Sequence, residues 1–169
     1  MANNVESILK ELLKSDAVKG ISKTSGVSLD GVESVLKNAL PSLINGASKQ
    51  TTDAKTKDSF FAALDSHGSK DLSNLTSFFK NVDVSDGAKI ISHLLGNKQD
   101  ATSNKVAKET GIDAGDVAKI MAVAAPLLMS VIGKKAKENK TEEKDTTANL
   151  ASALLGGIDV NGLLKNFIK

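Results

Sequence analysis

The chain has 169 residues, with 22 lysines against 20 acids and no arginine, cysteine, tryptophan or tyrosine. Without cysteine there is no disulfide framework, thiolate chemistry or cysteine-bound metal, and without arginine the commonest specific base contact and the bidentate phosphate clamp are missing. A net charge of +2 gives no basic footprint, and the five phenylalanines stand in core-like positions rather than as stacking platforms.

The opening residues lack the layout of a signal peptide, so a cytoplasmic location is expected. Val5, Ile8, Leu9, Leu12 and Leu13 lie on one face of a first helix, with Asn3 or Asn4 available as its N-cap. A second helix is predicted over 16–24, stopped at Gly26. Ser28 then caps a long helix whose apolar stripe is Val32, Val35, Leu36, Ala39, Leu40, Leu43, Ile44 and Ala47. Pro41 lies inside that stripe and cannot donate to the Lys37 carbonyl, which predicts a kink. Residues 48–57 read as a loop or frayed end, followed by short helices over 60–64 and 72–79, the latter capped by Asp71. Residues 82–86 read as a joint.

Beyond the joint much of the pattern returns. Ile21, Gly26, Val27, Val32, Val35, Leu40, Pro41, Leu43 and Ile44 reappear, at a shift of 85, as Val106, Gly111, Ile112, Val117, Ile120, Ala125, Pro126, Leu128 and Met129. The match extends upstream at a shift of 82 (Val5, Ile8, Leu12 onto Gly87, Ile90, Leu94) and downstream at 89 (Gly68, Leu75, Phe78 onto Gly157, Leu164, Phe167). A tandem duplication of a helical unit of about 85 residues follows, copies 1–84 and 85–169. The second long helix, from Ala114 to about Lys135, carries Val123, Leu127 and Val131 on the side that is polar in the first copy. A helix apolar nearly all round is a buried one, so 114–132 is expected at the centre of the molecule. The apolar stretch 120–132 is too short for a membrane span and carries Pro126, so no membrane is expected as a partner. Residues 134–145 read as a charged loop, and Leu163, Leu164, Phe167 and Ile168 are expected to pack into the core. No segment has a strand period. The fold class is therefore all-α: one domain over 1–169, two repeats bundled around a Pro-kinked central helix.

Each repeat has the spacing of a helix-turn-helix: glycine at the turn, an apolar residue after it, a polar helix start and apolar inward positions. The units fall at 16–40 and 101–125. A DNA-reading version would use Ser28, Ser34, Lys37 and Lys119 on the outward faces of the second helices. Those faces also carry Asp30, Glu33, Asp113, Ala114, Asp116 and Ala122. Acids at a helix start suit the macrodipole but occupy the place where a phosphate would dock. Nucleic acid is thus a disfavoured partner.

The remaining candidates are sparse. His67, in the run Asp65, Ser66, His67, Gly68 near Asp71, reads as a solvated loop histidine rather than a metal ligand, and His93 as a boundary residue of an amphipathic helix. Gly156 and Gly157 follow a helix rather than a strand and form no phosphate loop. Glu142 and Glu143 are embedded among lysines and form no carboxylate dyad, and no nucleophile elbow is present. No enzyme, cofactor or metal is predicted.

The pattern Gly111, Ile112, Val117, Ile120, then Ala125-Pro126-Leu127-Leu128 and Gly133, preceded by Leu94-Leu95-Gly96, resembles the bacterial domain-of-unknown-function family numbered 937, the YidB-like proteins. Gly26, Val27, Ser28 and the run from Leu40 to Gly46 resemble it too. The resemblance implies an all-α fold with a homeodomain-like three-helix motif, in small bacterial cytoplasmic proteins without an assigned activity or catalytic residue. The function expected is a non-catalytic protein-interaction or scaffold module with a protein partner that the sequence does not name. The alternative is DNA binding through the helix-turn-helix-like units.

Overall fold

The computed structural model describes residues 8, 10–68 and 72–138, and among them every regular element is helical. Val5, Leu9, Asn3, Asn4 and Asp71, as well as the Glu142–Glu143 and Gly156–Gly157 pairs and the apolar residues 163–168, lie outside the described residues. Ile8 and Leu12 are helical and fully buried.

Helix α1 (Ser15–Ser25) stops because Gly26 turns left-handed, at φ 79°, and its N–H reaches back to the Ser22 carbonyl at 2.8 Å. Two residues later Ser28 caps α2 (Leu29–Thr52) by accepting from the Gly31 N–H at 3.2 Å. The predicted stripe of α2, from Val32 to Ala47, is buried throughout. The helix runs on through Pro41. It also runs past the expected end at Ser48, because the polar residues 48–52 continue the hydrogen-bonded spiral, with the Thr51 hydroxyl donating to the Ser48 carbonyl at 2.6 Å. The loop expected at 48–57 shrinks to 53–56, where the Asp53 carboxylate accepts from the Lys55 N–H at 2.9 Å and its carbonyl accepts from the Lys57 N–H at 2.9 Å.

Helix α3 (Lys57–Gly68) is longer than the expected 60–64, and α4 (Leu75–Lys80) starts later than expected, capped by Asn74, whose Oδ1 accepts from the Ser77 N–H at 3.1 Å. Much of the segment 82–86 is helical. Asp83 accepts from the N–H groups of Ser85 and Asp86, at 2.9 and 3.2 Å, and so starts α5 (Val84–Leu95). A short 3-10 turn leads into α6 (Gln99–Thr110), which ends at Gly111 with φ 75°. Asp113 accepts from the Gly115 N–H at 3.0 Å and opens α7 (Ala114–Glu138). The charged loop expected from Lys134 therefore begins as helix, at least to Glu138.

Helix α7 is the core. Every residue from Ile120 to Gly133 is buried, and α7 packs against α1, α2, α3, α5 and α6. Two close approaches explain how so many neighbours fit. Pro126 has no N–H to give the Ala122 carbonyl. On the outside of that carbonyl sits Gly87 of α5, where any Cβ would overlap the Ala122 oxygen. On another side, Gly68 of α3 lies against the Gly133 backbone, so both helices use a missing side chain to close the gap. By length and composition α7 could also cross a membrane (mean hydropathy 1.7 over Ala114–Lys134), but 78% of its most apolar window is buried by the other helices. Its apolar character is thus accounted for by its neighbours.

The crossing pattern is reciprocal. Helix α1 packs on α7, while α6 packs on α2. Each of the two short helices that precede a left-handed glycine thus also contacts the long helix from the other half of the chain.

Candidate functional site

The two glycine turns are built alike. In the first, the Val27 N–H donates to the Ser25 hydroxyl at 3.3 Å; in the second, the Ile112 N–H donates to the Thr110 hydroxyl at 3.2 Å. The Ser22 hydroxyl closes the first turn onto the Val27 carbonyl, and the Thr110 hydroxyl donates to the Val106 carbonyl at 2.7 Å. The caps that follow, Ser28 and Asp113, occupy the same place. The turns also meet, because the Cβ position of Gly31 lies against both the Val27 and the Ile112 side chains. The fold therefore brings the N-terminal ends of α2 and α7 together.

Charge at this junction is set by acids. Asp30, Glu33 and Asp113 are exposed and Asp116 is half-buried. Next to Asp30, Leu29 is 47% exposed, the more open of two large apolar side chains found exposed among the described residues; the other is Val84 on α5. A carboxylate at a helix start is stabilised by the macrodipole and repels an incoming phosphate.

The sequence-predicted nucleic-acid residues fall around this junction with other tasks. Ser28 is exposed, but its hydroxyl is engaged as the cap of α2. Ser34 is exposed, and its carbonyl accepts from the Asn38 amide at 2.8 Å. Lys37 is half-buried and ion-paired with Glu33 at 2.9 Å, so its charge is already balanced one turn away. Lys119 is exposed on α7. Ala122, expected on the outward face, is instead buried against α5 at Gly87. The reason is that α5 covers this part of α7, a contact that helical spacing alone does not reveal.

His67 departs furthest from expectation. It is helical rather than a loop residue and only 9% exposed, with Nε2 3.8 Å from the Asp86 carboxylate of α5. The docking of Gly68 on the Gly133 backbone holds the end of α3 against α7 and takes His67 with it. Asp65, its sequence neighbour, points outward. Among the described residues no three ligating side chains gather as a metal site. His93 is exposed, and its carbonyl accepts from the Gln50 amide at 2.9 Å.

One feature had no signal in the sequence. A groove of about 370 Å³ opens between α2, α3, α5 and α7, with an apolar floor of Phe60, Ala63, Ile90, Leu94 and Met129. Its walls join the neighbouring helices α2 and α3 to α5 and α7, which are remote from them in sequence, so no local pattern announces it.

A family described as "Bacterial protein of unknown function (DUF937)" matches residues 7–135, which takes in both turns and the whole of the groove. Neither the curated proteins nor the solved structures contain a match to this chain.

Proposed function

The chain belongs to the bacterial family of unknown function DUF937, and on that premise we propose that it is a non-catalytic protein-interaction module of the cytoplasm. We infer further that it arose by tandem duplication of a helix-turn-helix-like unit. The duplication is supported by the slot-by-slot agreement of the two turns: Gly26 with Gly111, Ser25 with Thr110, and cap Ser28 with cap Asp113.

The observation that carries the interaction reading is the junction of α2 and α7, where α2 offers exposed Leu29 beside Asp30 and both helix starts carry acids, Asp30 and Glu33 on one and Asp113 and Asp116 on the other. An exposed leucine at a helix start that carries acids suits a protein partner with an apolar pocket and a basic rim. The rim charges would steer and orient the encounter, and burial of Leu29 would supply the anchor. The test is capture of a cytoplasmic partner with the wild-type protein and with Leu29→Lys. The partner is lost with Leu29→Lys and with the double change Asp30→Lys, Asp113→Lys, and retained with Asp100→Lys on α6. Capture indifferent to Leu29 would sink the reading.

DNA binding is the second reading, favoured by the turn geometry alone. Counterion release needs cations on the docking face, and here Lys37 is paired with Glu33 while carboxylates sit at both helix starts. No retarded band is expected in a gel-shift series with excess duplex from low to physiological salt. A band that weakens with salt and disappears in Lys37→Gln, Lys119→Gln would reverse the order of the two readings.

A further inference from the structure

The hollows on the two sides of α4 carry opposite charge. The one between α4 and α5, about 440 Å³, is lined by Asp83 and Asp86 together with Asn74 and Asn81. The one between α1 and α4, about 330 Å³, is lined by Lys19 and Lys23 of α1 and Lys80 of α4. We propose that the cavity between α1 and α4 binds a dianionic phosphate monoester group, with these three lysines as its cationic wall.

Packing builds the wall. The Phe79 ring lies on Gly20, where any Cβ would overlap the ring. That close approach brings the last turn of α4, with Lys80, alongside the stretch of α1 that carries Lys19 and Lys23. Lys19 and Lys23, four residues apart, share one face of α1. The cations therefore come from two helices fixed to each other by a buried ring, not from one loop.

Their charges are also unbalanced. Elsewhere on the helices Lys14 pairs with Glu11 and Lys37 with Glu33, each at 2.9 Å. Among the described residues no carboxylate stands at ion-pair distance from Lys19, Lys23 or Lys80. Asp16 is the one acid lining the cavity, which leaves a surplus of two positive charges. Like charges four apart on a helix repel each other, and a dianion among the three ammonium groups relieves that repulsion. Thr76 lines the same cavity, and its exposed hydroxyl is engaged by no other described residue, so it is available to donate to a phosphate oxygen. Thr24 is not, because its hydroxyl already donates to the Gly20 carbonyl at 2.9 Å.

The same features define the ligand class. Lysine holds phosphate as a point charge, without the planar fork of arginine. The Phe79 ring is buried and offers no stacking platform for a base. Three cations suit one phosphate group, whereas a nucleic-acid backbone needs a longer track of them. The cavity thus selects charge and is tolerant of a small organic body.

The test is a titration of the full-length, ¹⁵N-labelled chain with inorganic phosphate at about pH 8, where phosphate is dianionic, against sodium chloride of equal ionic strength. Saturable amide shifts are expected in residues 15–25 and 75–80. The double change Lys19→Gln, Lys23→Gln is expected to weaken binding at least about fivefold, and Asp16→Asn to tighten it about twofold. Lys105→Gln, Lys108→Gln on α6 leaves binding unchanged. All five positions are exposed, so the variants keep the packing. A second arm sediments the chain with phosphatidylcholine vesicles containing phosphatidic acid. Lysine-dependent binding of free phosphate alone assigns the site to a soluble ligand, and lysine-dependent retention on the vesicles assigns it to a lipid headgroup. Shifts reproduced by chloride, shifts spread over lysines throughout the chain, equal weakening by the α6 change, weaker binding in Asp16→Asn, or no lysine-dependent binding in either arm would each overturn the proposal.

Discussion

At Gly87 a single missing side chain holds two helices together. An added Cβ would overlap the Ala122 carbonyl and press on the Pro126 ring, both fixed parts of α7. Overpacking of this kind costs about 1–3 kcal/mol or more, while replacing a helical glycine by alanine returns about 1 kcal/mol of propensity. Because neither obstacle can swing aside, the cost prevails, and Gly87→Ala is expected to lose about 2 kcal/mol in urea unfolding. Gly26 is the contrasting case. Nothing surrounds its Cβ position, but its φ of 79° disfavours any L-residue, so Gly26→Ala is expected to cost about 1 kcal/mol through the backbone alone. Gly26→Asn, which tolerates that region better, should lose less. A stabilised Gly87→Ala would mean that α5 and α7 lie further apart than described.

Between the elements, the informative difference is the one separating the two long helices. Leu127 of α7 is 1% exposed, whereas its counterpart in α2, Ser42, is half-buried. Leu127→Ala is expected to cost about 2–5 kcal/mol and Ser42→Ala less than about 0.5 kcal/mol, measured as shifts of the urea midpoint at unchanged slope. Similar costs would mean that the two helices are equally enclosed. This asymmetry was legible in the sequence because Val123, Leu127 and Val131 break the amphipathic pattern that α2 keeps. The stripes, the glycine stops and the Ser28 and Asp113 caps were legible for the same reason, since all are governed by residues within a turn of one another. Element ends were not. The polar residues 48–52 look like loop but extend a helix already nucleated by its apolar turns, and Asn74 rather than a residue at 71 starts α4. At the candidate site the acids at each helix start were visible, but their juxtaposition through Gly31, Val27 and Ile112 was not, because it depends on contacts between residues about 80 apart in sequence. The burial of His67 and of Ala122 was missed on the same ground: the end of α3 rests on α7 and Ala122 on α5, contacts between helices that are distant in the chain.

For the molecule as a whole, the crossing of α1 onto α7 and of α6 onto α2 decides how it comes apart. If each half packed only on itself, the halves would unfold as separate units and a substitution in one would leave the other intact. Here the first half loses a wall of its core when α7 is loosened, and the second loses one when α2 is loosened. The expected result is one cooperative transition, with coincident curves from circular dichroism and from a fluorophore attached at an introduced cysteine in α1. Hydrogen exchange gives the sharper form of the prediction. Leu127→Ala lies in the second half, yet it is expected to lower the protection of the most stable amides of α2 by the same free energy as those of α7, since both then exchange through global unfolding. If amides in residues 29–52 kept their wild-type protection while those in 114–138 lost theirs, the halves would be independent domains, and the reciprocal packing would contribute little to holding them together.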